Sequence, residues 1–407
     1  MLYFGYLLFS TLAALFLFSV DWYAFQGVQT LTAGLGHWGS WIERGYWVIV
    51  ASVAISVIAG VLIGSRSGKN TPLARIVFHA FLILFVAQLV FLIVLFTEDL
   101  YRIGMAVVND FELPGRTKLV SQLGALLSAI PMLSLVYGMA KGKHDYRVHR
   151  HTLYFNDLPD AFDGFSITQI SDIHAGSFRN AEAVQKGIDL IRAQNSDLFV
   201  FTGDLVNNRA SEIEPWLDRF REIDAPYGKF AVLGNHDYGD YVSWNHPEEK
   251  EANLRKLCEH HAALGHTLLM NAHVKLRRNG EEIVLVGIEN WGSGFSKKGD
   301  LQEALKGVDT HAFKILLSHD PSHWDAQVRD HPLTIHLTLS GHTHGMQFGI
   351  ELAGVKWSPV KYRYPNWAGM TGINNRYLHV NRGFGFLGFE GRVGIWPEIT
   401  VIELKKN

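Results

Sequence analysis

Read from the N-terminus, the chain opens with long unbroken apolar runs and later settles into short ones. Four runs, residues 2–25, 46–64, 76–97 and 119–140, are each long enough to cross roughly 30 Å of hydrocarbon as a helix. The first lacks a basic leader and a small-residue cleavage site, so it predicts a retained helix rather than a signal peptide. Trp22, Tyr23, Trp38, Trp41 and Tyr46 sit where an interfacial aromatic belt would be. Past residue 141 the pattern changes to short β-like runs at 166–170, 198–201, 230–233, 283–286, 315–317 and 335–339. Amphipathic helical stretches at 181–194 and 248–263 separate some of them, and residues 377–403 predict strands joined by Gly-rich turns. Such alternation predicts an α/β sheet, in which ligands gather at the carboxyl ends of strands.

Charge sharpens the boundary. Residues 1–140 hold 13 Asp, Glu, Lys or Arg and residues 141–407 hold 63, so the 48% hydrophobic average describes neither part. The division predicted is a transmembrane domain over 1–140 and a water-soluble domain over 141–407, with no internal repeat and no low-complexity linker. Arg66, Lys69, Arg75, Lys141, Lys143, Arg147 and Arg150 lie on one side of the spans, against Arg44, Arg102, Arg116 and Lys118 on the other. That bias predicts an inside N-terminus and a cytoplasmic soluble domain at a plasma or inner membrane. Within the spans His79 and Gln88 stand out as polar, and no paired charges are visible, which argues against a transporter carrying a regulatory domain. A net charge of −2 offers no basic excess for a polyphosphate backbone and excludes nucleic acid as a main partner. The single cysteine, Cys258, excludes an intrachain disulfide and a cysteine-based zinc site.

Histidine is abundant, with 20 copies, and its placement carries the chemistry. Asp172-Ile-His174, Gly203-Asp204, Gly234-Asn235-His236-Asp237, Ser318-His319 and Gly341-His342-Thr343-His344 each follow a predicted strand. Glycine permits the sharp turn that aims the next side chain into a crevice. In Asp-x-His and His-x-His the period of two of an extended chain would point both donors the same way. Alone, each segment reads as a turn or a loop histidine; five in succession at strand ends point to metal. Mixed His, Asn and carboxylate donors suit Mn, Fe or Zn better than Ca or Mg. His144, His149 and His151 are expected to face headgroups, and the remaining histidines of the soluble part to lie on the surface or in packing. Residues 291–298, with Trp291, Phe295, Lys297 and Lys298, read as a lipid-dipping loop or as ordinary loop packing.

The order D-x-H, G-D, G-N-H-D, H, G-H-x-H resembles the calcineurin-like metallophosphoesterase superfamily over residues 150–407. The wording SDIHAG, TGDLV, LGNHDYG, LLSHDP, LSGHTHG, NRGFG and WPEITVIEL resembles its branch of bacterial phosphodiesterases that includes membrane-associated lipid-headgroup hydrolases. The part in front resembles transmembrane proteins that carry such a domain at their C-terminus. The resemblance implies a four-helix transmembrane bundle followed by a four-layered αββα domain with two mixed sheets. It further implies two divalent metal ions: one held by Asp172, His174 and His344, the other by Asn235, His319 and His342, with Asp204 bridging. His236 would stand near the leaving group and Asp237 would orient it. The implied reaction is attack of a metal-bridged hydroxide on the phosphorus of a phosphodiester or pyrophosphate, and the anchor in the bilayer suggests a lipid-linked substrate. One departure is Met346, where the branch usually has Gly before Gln347; it bears on substrate fit. The competing reading is a non-catalytic membrane scaffold or sensor that keeps the fold, which should have lost ligands, yet all seven and His236 are present.

Overall fold

The computed structural model describes residues 2–67, 72–108, 110–352 and 354–407. They form two compact units, Met1–Tyr137 and Gly138–Asn407. The first contains α1 (Leu2–Thr32), α2 (His37–Ser67), α3 (Pro72–Val108) and most of α4 (Lys118–Ala140). All four are long and apolar enough to cross a membrane. Lys69, counted in the charge bias, lies outside the described residues.

The helices overrun their apolar runs. At about 1.5 Å per residue the 37 residues of α3 extend about 55 Å, well beyond the hydrocarbon thickness. Polar groups collect on the overrun, where α1 meets α2 and α3 meets α4. Thr32 donates to Glu43 at 2.6 Å and the Tyr23 hydroxyl donates to Asp99 at 2.6 Å. Asp99 pairs with Arg102 at 2.5 Å and also with Arg116, which lies 3.8 Å from Glu98. Deeper along the helices, Gln88 donates to Asp21 at 2.8 Å, and the Tyr46 hydroxyl to the Asp21 carbonyl at 2.7 Å. The ion pairs of Asp99 and Glu98 lie outside the apolar runs at 76–97 and 119–140, so they leave the expectation made for the spans themselves untouched. Asp99 and Arg102 are three residues apart on α3, and Arg116 reaches Asp99 from the segment before α4.

After α4 the second unit begins with β1 (Arg147–Phe155), β2 (Ser166–Ile170), α5 (Ala181–Arg192), β3 (Leu198–Phe201), α6 (Leu217–Arg221) and β4 (Lys229–Ala231). Then come α7 (Pro247–Ala263), β5 (His266–Leu268), β6 (Ala272–Arg278), β7 (Glu281–Gly287), α8 (Leu301–Ala304), β8 (Lys314–Leu317) and β9 (Leu337–Ser340). A two-stranded ribbon, β10 (Ile350–Leu352) and β11 (Val355–Trp357), precedes β12 (Gly369–Ile373), β13 (Arg376–Val380) and β14 (Glu398–Lys406). One six-stranded mixed sheet runs β1-β14-β2-β3-β4-β5 and the other β12-β13-β9-β8-β7-β6.

Strand alternation builds the layers. Ile167, Leu198 and Val200 of the first sheet meet Ile283, Leu285, Ile315 and Leu337 of the second in one core. The opposite faces are covered by helices: Phe199 and Phe201 pack with Val184, Ile188 and Leu257, while Val284, Val286 and Leu316 pack with Leu301 and Trp324. The result is helix, sheet, sheet, helix. The expected strands at 230–233 and 335–339 are found at Lys229–Ala231 and Leu337–Ser340, because the ladder to β3 and β5 ends at Ala231 and the pairing of β9 with β8 and β13 begins at Leu337.

Two histidines in this core predict a pH dependence of stability. His261 is buried under Phe201, and its Nδ1 lies 3.1 Å from that of His266. Burial pushes His261 down from its ordinary 6.5 to about 3, and pushes His266 down as well. Folded, both stay neutral; unfolded, both protonate near pH 6.5. Their contribution is fully present above pH 6.5 and is lost as pH falls toward 3, by roughly 1.4 kcal/mol per pH unit for each group. The urea midpoint of the full chain in detergent is expected to fall between pH 7 and pH 5, and His261→Phe to reduce that fall.

Candidate metal centre

Every proposed donor segment follows a strand: Asp172 and His174 follow β2, Asp204 follows β3, Asn235 follows β4, His319 follows β8, and His342 and His344 follow β9. Because β2, β3 and β4 are parallel neighbours, as are β8 and β9, their carboxyl ends open on one edge of each sheet. The local backbone differs from the extended form expected. Asp172 (φ 53°), His174 (46°), Asp204 (61°), His342 (71°) and His344 (48°) all adopt left-handed conformations. Each costs roughly 1–2 kcal/mol for an L-residue, so donor direction comes from curled backbone and not from strand alternation. Cross-strand hydrogen bonds offset the strain: Asp172 N–H donates to Gly203 O (2.9 Å), His174 N–H to Asp204 O (3.1 Å), and His342 N–H to the Asp172 carboxylate (2.9 Å).

Gly341 shows how tight this is. A Cβ there would lie 1.9 Å from Ser171 Oγ and 2.3 Å from Asp172 Oδ2. Gly341→Ala is expected to displace Asp172 and lower metal content or turnover by about 10–100-fold, as loss of a supporting contact does. Elemental analysis beside turnover checks it.

The side chains fall into two groups. The donor atoms of Asp172, His174 and His344 lie within 4.8 Å of one another, and so do those of Asp204, His319 and His342. His344 Nε2 is 3.2 Å from Asp172 Oδ1, and His319 Nε2 is 3.2 Å from Asp204 Oδ2. That same Asp204 oxygen is 3.6 Å from His174 Nε2, so it stands between the groups. Asn235 Oδ1 joins the second group, 2.8 Å from His342 Nδ1, which in turn faces His319 Nε2 at 3.3 Å.

Neighbouring groups set the tautomer of His319. Its Nδ1 donates to the Thr202 carbonyl at 2.7 Å, which leaves Nε2 as the inward donor. Burial pushes His319 down, but the Asp204 carboxylate overrides it and holds the imidazole up to about 10. Burial pushes His174 down to about 3 against the opposing pull of Asp204. Both ring nitrogens of His174, and Nε2 of His344, have no hydrogen-bond partner among the described residues. Buried imidazoles left unsatisfied beside carboxylates are the donor chemistry of a divalent cation site, and the residues fit one.

His236 Nδ1 donates to the Asn207 carbonyl at 2.7 Å, and its ring lies tilted against that of Tyr241 with centroids 4.4 Å apart. Asp237, expected to orient His236, does something else. Its carboxylate accepts the backbone N–H groups of Asp204 (2.9 Å), Leu205 (2.8 Å) and Gly234 (2.9 Å), tying the ends of β3 and β4 together. The correction follows from the turn: adjacent side chains on a tight turn diverge.

Several residues went unread in the sequence. The Tyr364 hydroxyl lies 2.9 Å from His342 Nε2 and donates to Asp320 at 3.3 Å. Buried Arg392 places Nη2 3.1 Å from His344 Nδ1 and donates to the Gly385 carbonyl at 2.6 Å. Only Asp320, beside His319, carried any signal. The 291–298 loop is not lipid-dipping: Trp291 is buried, and the Phe295 ring packs edge-on against His342 with centroids 4.8 Å apart.

Residues 6–143 match the family described as probable calcineurin-like phosphoesterase, transmembrane domain, and residues 165–346 match calcineurin-like phosphoesterase. The chain is 30% identical over 297 residues to the uncharacterized metallophosphoesterase YkuE of Bacillus subtilis (strain 168), covering 72% of this chain and 98% of that one. It is 28% identical over 264 residues to the phosphodiesterase YaeI of Escherichia coli (strain K12), covering 64% and 88%. Over 278 residues it is 27% identical to the UDP-2,3-diacylglucosamine pyrophosphatase LpxG of Chlamydia muridarum (strain MoPn / Nigg), covering 56% and 81%. Two clusters of metal donors at strand ends, behind four helices fit for a bilayer, thus have a family: this chain belongs to the calcineurin-like metallophosphoesterases, metal-dependent phosphoric ester hydrolases, as an integral membrane member.

Proposed function

We propose that this chain is a dinuclear-metal phosphohydrolase that cleaves a phosphodiester or pyrophosphate bond in a lipid-linked substrate at the cytoplasmic face. The observation that carries the reading is the Asp204 carboxylate, with one oxygen 3.2 Å from His319 and 3.6 Å from His174. A carboxylate is the side chain able to serve two cations at once, and this one lies between two donor groups. Asp172, His174 and His344 would hold one ion; Asn235, His319 and His342 the other; Asp204 would bridge. Two divalent cations, Mn, Fe or Zn by donor type, supply Lewis-acid polarisation of the phosphoryl oxygens and an activated water nucleophile.

The chain's own residues do the rest. His236 would act as the imidazolium: Nδ1–H stays on the Asn207 carbonyl, and Nε2–H would pass its proton to the leaving oxygen, which leaves the ring neutral. Asp237 holds the β3 and β4 turns in place. Tyr364 and Phe295 close the side of His342 and exclude water.

The lipid-linked substrate draws support from the helices and from the acylated nucleotide sugar in the printed name of LpxG. The cytoplasmic side draws support from the charge bias.

The test is metal removal. Full chain stripped of metal in detergent, then reloaded with Mn, Zn or Mg, is assayed on an aryl phosphodiester, an aryl monoester and a nucleotide-sugar diphosphate. Metal-restored cleavage of the diester or diphosphate is expected. A folded, metal-loaded chain inert on all three would overturn the reading.

A further inference from the structure

The ribbon of β10 and β11 carries its side chains the wrong way round for a surface in water. Its register pairs Ile350 with Trp357, Glu351 with Lys356 and Leu352 with Val355, so alternation separates an apolar face from a polar one. The polar face is tied to the rest of the domain: Glu351 accepts both Arg382 Nε (3.0 Å) and Nη2 (2.7 Å), and Lys356, though exposed along its stem, donates to the Ala368 carbonyl. The apolar face points out, with Ile350 51%, Leu352 74% and Val355 57% exposed.

Two neighbouring turns extend this patch. Ser358 donates to the Gly345 carbonyl at 2.7 Å, which brings the Pro359–Tyr362 turn against the His344–Gln347 segment. Each turn presents one large apolar side chain, Met346 at 57% and Tyr362 at 78% exposed. Lys361 and Arg363, both exposed, flank Tyr362. Apolar side chains beside an aromatic and two cations are the composition of a surface that sits among lipid headgroups. The chain also supplies the bilayer, since only Lys141–Tyr146 separate the end of α4 from β1. Met346 is two residues past His344, so the patch borders the candidate metal centre.

We propose that the outer face of β10–β11, with Met346 and Tyr362, docks into an anionic lipid surface. The inference rests on the four helices lying in a bilayer and not on the substrate named above. A docked ribbon would hold the mouth of the centre at headgroup depth, where a lipid-linked phosphoester presents its phosphorus.

The test reads depth and needs no turnover. Full chain with Cys258→Ser carries a single NBD label at Leu352→Cys, with Val355→Cys as second reporter and Lys306→Cys as exposed control. Each is placed in nanodiscs of phosphatidylcholine and phosphatidylglycerol with brominated acyl chains. Labels at 352 and 355 are expected to lose at least about half their emission to the brominated lipid and to resist aqueous iodide, while 306 does the reverse. Equal quenching at all three positions would overturn the proposal. So would labels at 352 and 355 shielded from iodide yet untouched by brominated lipid, which is the signature of a protein partner or a second copy on the ribbon.

Discussion

Asp204→Asn is expected to lower phosphodiester turnover by roughly 10³-fold or more, with the chain still folded. Asp204 is buried, and both its oxygens are engaged. Oδ1 accepts the His236 backbone N–H at 2.8 Å, and Oδ2 faces His319 and His174 at 3.2 and 3.6 Å. Asparagine keeps the shape but loses the charge, and it must turn either an oxygen or an N–H₂ toward the two imidazoles. Two cations at this position would lose the one anion able to neutralise both. Asn235→Ala removes a neutral donor and should cost less. Turnover, metal per chain and a thermal melt, measured together, separate loss of chemistry from loss of fold. Turnover within tenfold of the parent, with metal content intact, would remove Asp204 from the role.

Glu398→Ala is expected to cost about 3 kcal/mol of stability, because it takes from the buried Arg382 guanidinium its fully buried counter-charge and leaves it Glu351 alone. Glu398 is fully buried at the start of β14. It accepts Arg382 Nη1 at 2.5 Å, the Arg382 backbone N–H at 3.1 Å and the Thr400 hydroxyl at 2.7 Å, and lies 3.3 Å from His379 Nε2. Burial raises the carboxyl and Arg382 more than offsets it, holding Glu398 well below the usual carboxylate range. The urea midpoint should fall sharply for the single variant. A double variant, Glu398→Leu with Arg382→Met, should recover much of the loss, since it removes the buried guanidinium as well and leaves only the partly exposed Glu351 to find water. A double variant no better than the single would mean the pair is not what stabilises this corner.

Which parts could be read beforehand follows from where the information resides. β2 and β3 coincide with the runs at 166–170 and 198–201: β3 (LFVF) is apolar on both faces of the sheet, and β2 (SITQI) shows the alternation of a strand with Ile167 turned into the core. β1 was not anticipated. Its sequence RVHRHTLYF mixes His and Arg with apolar residues, as suits an edge strand with one face outward, and so it read as a headgroup-facing segment. The donor segments were legible because each lies within four consecutive residues. Their contacts were not. The acceptor for His236 is a backbone carbonyl at Asn207, a group every residue has. Tyr364 reaches His342 from a separate turn, and Arg116 reaches Asp99 from the segment before α4. The turned-out ribbon was hidden for a similar reason: which face of a strand points inward depends on Arg382, far along the chain.

The order of the first sheet has a consequence for biosynthesis. β14 lies between β1 and β2, parallel to the first and antiparallel to the second. While a ribosome is still making the middle of this chain, β1 has already emerged behind α4 and has no neighbour to pair with. The sheet that carries Asp172 and Asp204 closes only when β14 is delivered, so a nascent chain, though already threaded into the bilayer, holds an open edge and an unfinished donor set. At about 5–20 residues per second that interval lasts many seconds. A premature stop before β14 would leave the membrane helices complete and the hydrolase absent.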